Sequence, residues 1–169
     1  MVELIGKVKM DAVNIYQVFD WLWSSGQLSE TDIRQLPGFG VVAVINLALP
    51  SSSNALPKEA ELVTEQGITY IHIPVEWEAP RVEQFVEFVR VMKAYEGQKL
   101  WVHCAKNMRV SAFLYLFRKL VLCESEEKAE FPMVQVWRPN EVWKGFIEQV
   151  ERQHSHQSFK PFVNVYPDA

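Results

Sequence analysis

Leu100-Trp101-Val102-His103-Cys104-Ala105-Lys106-Asn107-Met108-Arg109-Val110-Ser111 is the stretch from which the rest of the chain can be read. Its first four residues are short, bounded and largely apolar, which predicts a strand buried on both faces. From Ser111 to Leu122 the chain is apolar nearly all round, so a helix in the middle of the molecule is expected. A cysteine therefore stands where a buried strand hands over to a buried helix. In parallel α/β sheets, sites form at the carboxyl ends of strands. Backbone N–H groups of a tight loop, with the helix start behind them, can cradle an oxyanion. The same positive field favours a cysteine thiolate. Arg109 adds a fork of donors suited to a tetrahedral anion.

Outward from this segment, the same kind of unit recurs. Val41 to Leu47 is β-branched and apolar on both faces, a buried strand interrupted only by Asn46. Pro57 to Gln66 reads as a helix, with Pro57 in its first turn and Gly67 as its stop. Ile68 to Val75 reads as another strand. Val82, Phe85, Val86, Val89 and Met92 fall at helical spacing, and Gly97 closes that helix. Pro139 suits the start of a last helix through Val142, Phe146 and Val150. Ser29 caps a short helix with acids in its first turn, ending before Pro37-Gly38. Val13 to Ser25, with Trp21 and Trp23, adds edge strands. The order βαβαβα predicts an α/β fold of three layers, a mostly parallel central sheet flanked by helices.

With 169 residues, 49% of them hydrophobic and 22% charged, the chain fits a single soluble domain spanning 1–169. Its core runs from about 13 to 153, followed by a tail over 154–169. The net charge of −4 supplies no basic surface, so neither nucleic acid nor membrane is an expected partner. The first ten residues lack the apolar run of a signal peptide, and no stretch is long enough to span a membrane. Only two cysteines occur, Cys104 and Cys123, so reduced thiols in the cytoplasm are expected rather than a disulfide framework.

Together these features resemble the cysteine-dependent dual-specificity and tyrosine phosphatases. His103-Cys104 followed by Arg109 and a helix is similar to that superfamily's phosphate loop. Ser25-Gly26-Gln27 resembles a turn of a small bacterial subgroup. Gly40 to Leu47 with Ile71-His72-Ile73-Pro74-Val75 resembles the two strands ahead of the loop, and Arg138-Pro139-Asn140 resembles the opening of a late helix. The resemblance covers roughly Val13 to Gln153. It implies that Cys104 attacks phosphorus and forms a phosphocysteine. Ala105, Lys106, Asn107, Met108 and Arg109 would then bind the phosphate oxygens, and His103 would hold the cysteine's backbone. A carboxylic acid on the loop Val75-Glu76-Trp77-Glu78-Ala79-Pro80 would protonate the leaving oxygen, Glu76 first and Glu78 second. The implied substrate is a phosphorylated protein or a small phosphomonoester, with no metal and no organic cofactor.

Two departures stand out. Four residues separate Cys104 from Arg109, one fewer than the family pattern. Val110 follows the arginine where the family has Ser or Thr, and Ser111, one position late, is the candidate to substitute for it and to join the phosphate-binding residues. No glycine stands in the loop, so Asn107 is the residue best able to take a left-handed conformation. The shorter loop is also similar to that of rhodanese-type sulfurtransferases, which would place a persulfide on Cys104. A third reading is an inactive module that binds a phosphorylated ligand. Taken alone, a strand-end cysteine is a small buried hydrophobe, and Lys106 is a solvated charge. Cys123 reads as structural, and His154 and His156 as part of a solvated tail.

Overall fold

The computed structural model describes residues 8–155. Five strands form one sheet: β1 (Tyr16–Phe19), β2 (Leu22–Ser25), β3 (Val41–Asn46), β4 (Thr69–His72) and β5 (Lys99–His103). Their spatial order is β1-β2-β5-β3-β4, and only the β1–β2 pair is antiparallel. The mostly parallel sheet expected from the order of elements is present.

The segment Val13 to Ser25 departs from its expected place at the rim. Of its two strands, only β1 lies at an edge. β2 lies inside the sheet, parallel to β5, with Leu22 opposite Leu100 and Ser25 opposite His103. The reason is visible in its residues: all four are buried, and Trp23 stacks on Trp101 with centroids 6.0 Å apart. Burying two indoles against each other removes more apolar surface from water than an edge position would.

Helices cover both faces. One carries α1 (Glu30–Gln35), a 3₁₀ turn (Leu36–Phe39) and α2 (Glu59–Glu65). There Ile33, Leu36, Phe39 and Val63 pack on Trp23 and Trp101. The other carries α3 (Val82–Ala94), α4 (Met108–Leu116), α5 (Glu126–Ala129), α6 (Met133–Val136) and α7 (Glu141–Ser155). Phe85, Phe88, Phe113, Trp143 and Phe146 form the larger core on that face.

Several boundaries move for local reasons. α1 begins with the expected cap: Ser29 Oγ accepts from Asp32 N at 3.1 Å, and Asp32 Oδ2 accepts from Ser29 N at 3.0 Å. α2 begins at Glu59 rather than Pro57, because Lys58 takes a left-handed conformation, φ 60°. β4 stops at His72, since Pro74 has no N–H to donate. α7 begins two residues past Pro139, where Asn140 Oδ1 accepts from Trp143 N at 3.0 Å. The helix expected to reach Leu122 remains α-helical only to Leu116 and then widens into one π turn, Phe117–Val121. Arg118 in that turn is buried and forks onto Glu124 and the Phe131 carbonyl.

His154 lies in the last turn of α7. His156 and the rest of the tail fall outside the described residues. No helix among the described residues is long and apolar enough to cross a membrane.

Candidate active site

The loop after β5 is fixed by its carbonyls. His103 Nδ1 lies 3.3 Å from the Cys104 carbonyl. The Ala105 carbonyl accepts from Gln27 N at 3.1 Å and from Asn54 Nδ2 at 3.0 Å. The Lys106 carbonyl accepts from Asn14 Nδ2 at 3.0 Å. In a planar trans peptide the N–H points away from the C=O. Tying the carbonyls of residues 104 and 105 to the surrounding scaffold therefore turns the N–H groups of Ala105 and Lys106 to the opposite side.

Asn107 performs the turn. Its φ of 65° is left-handed, as expected for the one residue of the loop suited to it. Its amide donates to the Asn14 carbonyl at 2.7 Å and to Ser24 Oγ at 3.0 Å. That side chain is thus committed to the scaffold, and no side chain caps the first turn of α4. The N–H groups of Met108, Arg109 and Val110 begin the helix without an intrahelical acceptor. Gly26 is required beside them, because a Cβ there would stand 2.9 Å from the Ala105 oxygen and 2.8 Å from Val13 Cγ2. Cys104 itself is 1% exposed, and Lys106 alone among loop residues 104–107 is exposed. Both cysteines are free thiols, Cys104 buried and Cys123 exposed.

Arg109 is buried and donates from a terminal guanidinium nitrogen to the Val75 carbonyl at 2.9 Å. Its guanidinium carbon lies 6.0 Å from the centroid of the Trp77 ring. The arginine thereby joins the cysteine loop to the segment carrying Glu76 and Glu78. That segment is anchored on both sides of Glu76. Val75 N donates to the Leu47 carbonyl at 3.1 Å, and Trp143 Nε1 donates to the Trp77 carbonyl at 2.9 Å. Trp77 packs on Trp137 and Trp143, with centroids 5.2 and 5.7 Å away. Glu76 and Glu78 are both exposed and make no ion pair or hydrogen bond among the described residues.

Ser111 is placed differently from the other expected site residues. Its hydroxyl donates to the Met108 carbonyl at 2.9 Å and accepts from Trp137 Nε1 at 3.1 Å. Sitting one position later on the helix turns it toward the tryptophan cluster and occupies it there.

The sequence reading missed a second set of residues, centred on Glu59. This carboxylate, 6% exposed, sits at the carboxyl edge of the sheet. Oε1 accepts from Gln27 Nε2 at 2.9 Å and lies 2.6 Å from His103 Nε2. The second contact is a close charge contact rather than an aligned hydrogen bond. Oε2 accepts from Asn46 Nδ2 and from the Tyr70 hydroxyl, each at 2.9 Å. Burial alone would raise the carboxyl's pKa, but His103, then Tyr70 and Gln27, outweigh it and hold the group below its ordinary range. The Tyr70 hydroxyl is pushed up, first by burial; the Asn46 hydrogen bond opposes this, and Glu59 reinforces it. The sequence signals were an Asn inside an otherwise apolar strand and a glutamate next to a lysine in a turn. Neither reveals that both meet the histidine.

Residues 11–158 match the PTP-NADK family, described as a DSP-PTPase phosphatase fused to NAD+ kinase. No curated protein matches the chain. A DUF442 protein of Shewanella putrefaciens CN-32, provisionally named a phosphatase, is 31% identical, with a TM-score of 0.77. The match covers 91% of this chain and 99% of that one. Two more distant structures share the fold. Tk-PTP in its active form is 19% identical with a TM-score of 0.69, covering 82% and 97% of the two chains. PTPMT1 in complex with PI(5)P is 13% identical with a TM-score of 0.71, covering 85% and 98%.

Proposed function

The chain belongs to the PTP-NADK family of DSP-PTPase phosphatases, and from that premise we propose that it hydrolyses a phosphomonoester through a phosphocysteine on Cys104. The observation that supports this reading is the set of carbonyls tied to the scaffold, which turns the Ala105 and Lys106 N–H groups to the other side of the loop. The uncapped N–H groups of Met108, Arg109 and Val110 extend the same cradle. Asn107 contributes the turn, and Arg109 supplies a fixed positive charge with donors to spare beyond the one on Val75.

In the first step the Cys104 thiolate attacks phosphorus, a P–S bond forms and the P–O ester bond breaks. Glu76, protonated, gives its proton to the leaving oxygen. In the second step water attacks the phosphocysteine, the P–S bond breaks and sulfur leaves as thiolate. Glu76, now a carboxylate, takes the water's proton, and inorganic phosphate departs. His103 holds the Cys104 carbonyl throughout. The substrate is a phosphorylated protein or a small phosphate ester, and the setting is the cytoplasm, where both thiols stay reduced.

The test is turnover of an aryl phosphate. Cys104→Ser should abolish it, by at least about a thousandfold, and Arg109→Ala should lower kcat/KM by at least about a hundredfold. Equal turnover in wild type and Cys104→Ser overturns the reading. The four-residue spacing to Arg109 also fits sulfur transfer, so a persulfide mass increment on Cys104 after thiosulfate, without phosphatase turnover, would replace it.

A further inference from the structure

The Glu59 carboxylate is more elaborately built than a structural tie requires. Its neighbours come from four separate places: Gln27 after β2, Asn46 ending β3, Tyr70 in β4 and His103 ending β5, while the backbone turn at Lys58 presents it. Gln27 Nε2 donates to Oε1 and Asn46 Nδ2 to Oε2, so each oxygen accepts from an amide. An amide donor on each oxygen favours the carboxylate over the carboxyl form, in line with a pKa held below the ordinary range.

The same logic fixes the histidine. His103 is completely buried. Its Nε2 stands 2.6 Å from a carboxylate oxygen, and its Nδ1 stands 3.3 Å from a peptide carbonyl. The peptide carbonyl can only accept, which places a hydrogen on Nδ1, and Nε2 is the nitrogen turned to the carboxylate. The titratable groups around the ring are Glu59 from α2, Tyr70 from β4 through Glu59, and Cys104 on its own loop. His72 is turned away, its Nε2 2.6 Å from the Ala48 carbonyl.

We propose that Glu59 is a positioning residue that keeps His103 as a buried imidazolium, so that a fixed positive charge stands one residue before Cys104 and favours its thiolate. The inference rests on Cys104 being the nucleophile, but its first test does not. Glu59 touches neither the sulfur nor the substrate; it acts through the ring. Gln27 and Tyr70 keep the carboxylate aimed at Nε2.

The experiment is a ¹⁵N spectrum of the histidine ring in the full chain near neutral pH, with Glu59→Gln, Glu59→Asp and Tyr70→Phe as comparisons. Wild type should show both His103 nitrogens protonated. Glu59→Gln should convert the ring to the neutral form protonated on Nδ1. Tyr70→Phe, which leaves the carboxylate in place, should keep the charged ring. Ultraviolet thiolate absorbance, taken against Cys104→Ser, should fall in Glu59→Gln. The variant's kcat/KM should drop about tenfold at neutral pH, and the deficit should narrow toward alkaline pH, where the thiol ionises unaided. Glu59→Asp should recover part of the loss. A neutral His103 ring in wild type overturns the proposal whether or not any variant folds, and so does an imidazolium that survives Glu59→Gln. If the ring behaves as expected while Cys104→Ser retains full hydrolysis, the phosphatase reading fails and the Glu59–His103 pair stands.

Discussion

Asn107 shows how one residue can carry a loop without glycine. It supplies the left-handed turn and, with the same side chain, two hydrogen bonds to Asn14 and Ser24. The two contributions separate by substitution. Asn107→Gly keeps the backbone conformation and loses both bonds, a cost of about 1–2 kcal/mol. Asn107→Ala loses the bonds and adds left-handed strain of about 1–2 kcal/mol more. Urea denaturation should rank wild type above the glycine variant and the glycine variant above alanine; an alanine variant as stable as glycine would show that the turn is not under strain. At this scale the sequence was informative where chemistry is local. The turning role of Asn107 follows from residue type, and its left-handed φ agrees. The role of Glu59 does not follow in this way, because its significance comes from a meeting with His103 across 44 residues, from position 59 to 103.

Among the elements, the segment between β4 and α3 has the clearest design. Gln84 near the start of α3 accepts from Arg81 N and donates to the Pro74 carbonyl, each at 2.9 Å. Arg109 holds Val75 and Trp143 holds Trp77, so Glu76 is carried on a backbone fastened before and after it. Glu76→Gln should therefore lower kcat about a hundredfold, and Glu78→Gln should change it by no more than about twofold. Trp143→Phe, which removes the donor to Trp77, should also lower kcat. If it acts by seating Glu76, it should cost much less in the Glu76→Gln background, a non-additivity measurable in a double-mutant cycle. Strict additivity would separate Trp143 from the acid. The elements themselves were legible because buried strands and amphipathic helices announce themselves by periodicity. The interior position of β2 was not. Pattern alone does not say which neighbour a strand takes, and the pairing of Trp23 with Trp101 settles it.

For the molecule as a whole, the Glu59 carboxylate links stability to pH. Its folded-state pKa lies below the ordinary 4.5. Its ionised form therefore stabilises the fold above about that pH, and this contribution is lost as the pH falls through the lower folded value. Denaturant midpoints measured through the acid range should decline in wild type and decline less steeply in Glu59→Gln. At neutral pH the same variant should be less stable by about 3 kcal/mol, because His103 loses its buried partner. Parallel acid limbs in the two proteins would show that another carboxylate governs the decline. The outward ties of the cysteine loop have one more consequence. Asn14, Ser24, Gln27 and Asn54 hold the loop from positions 51 to 93 residues away. A peptide cut from this region would lack every one of those restraints. On dilution from denaturant, enzymatic competence should then return only with the slowest kinetic phase, when β2 and β5, far apart along the chain, have come together.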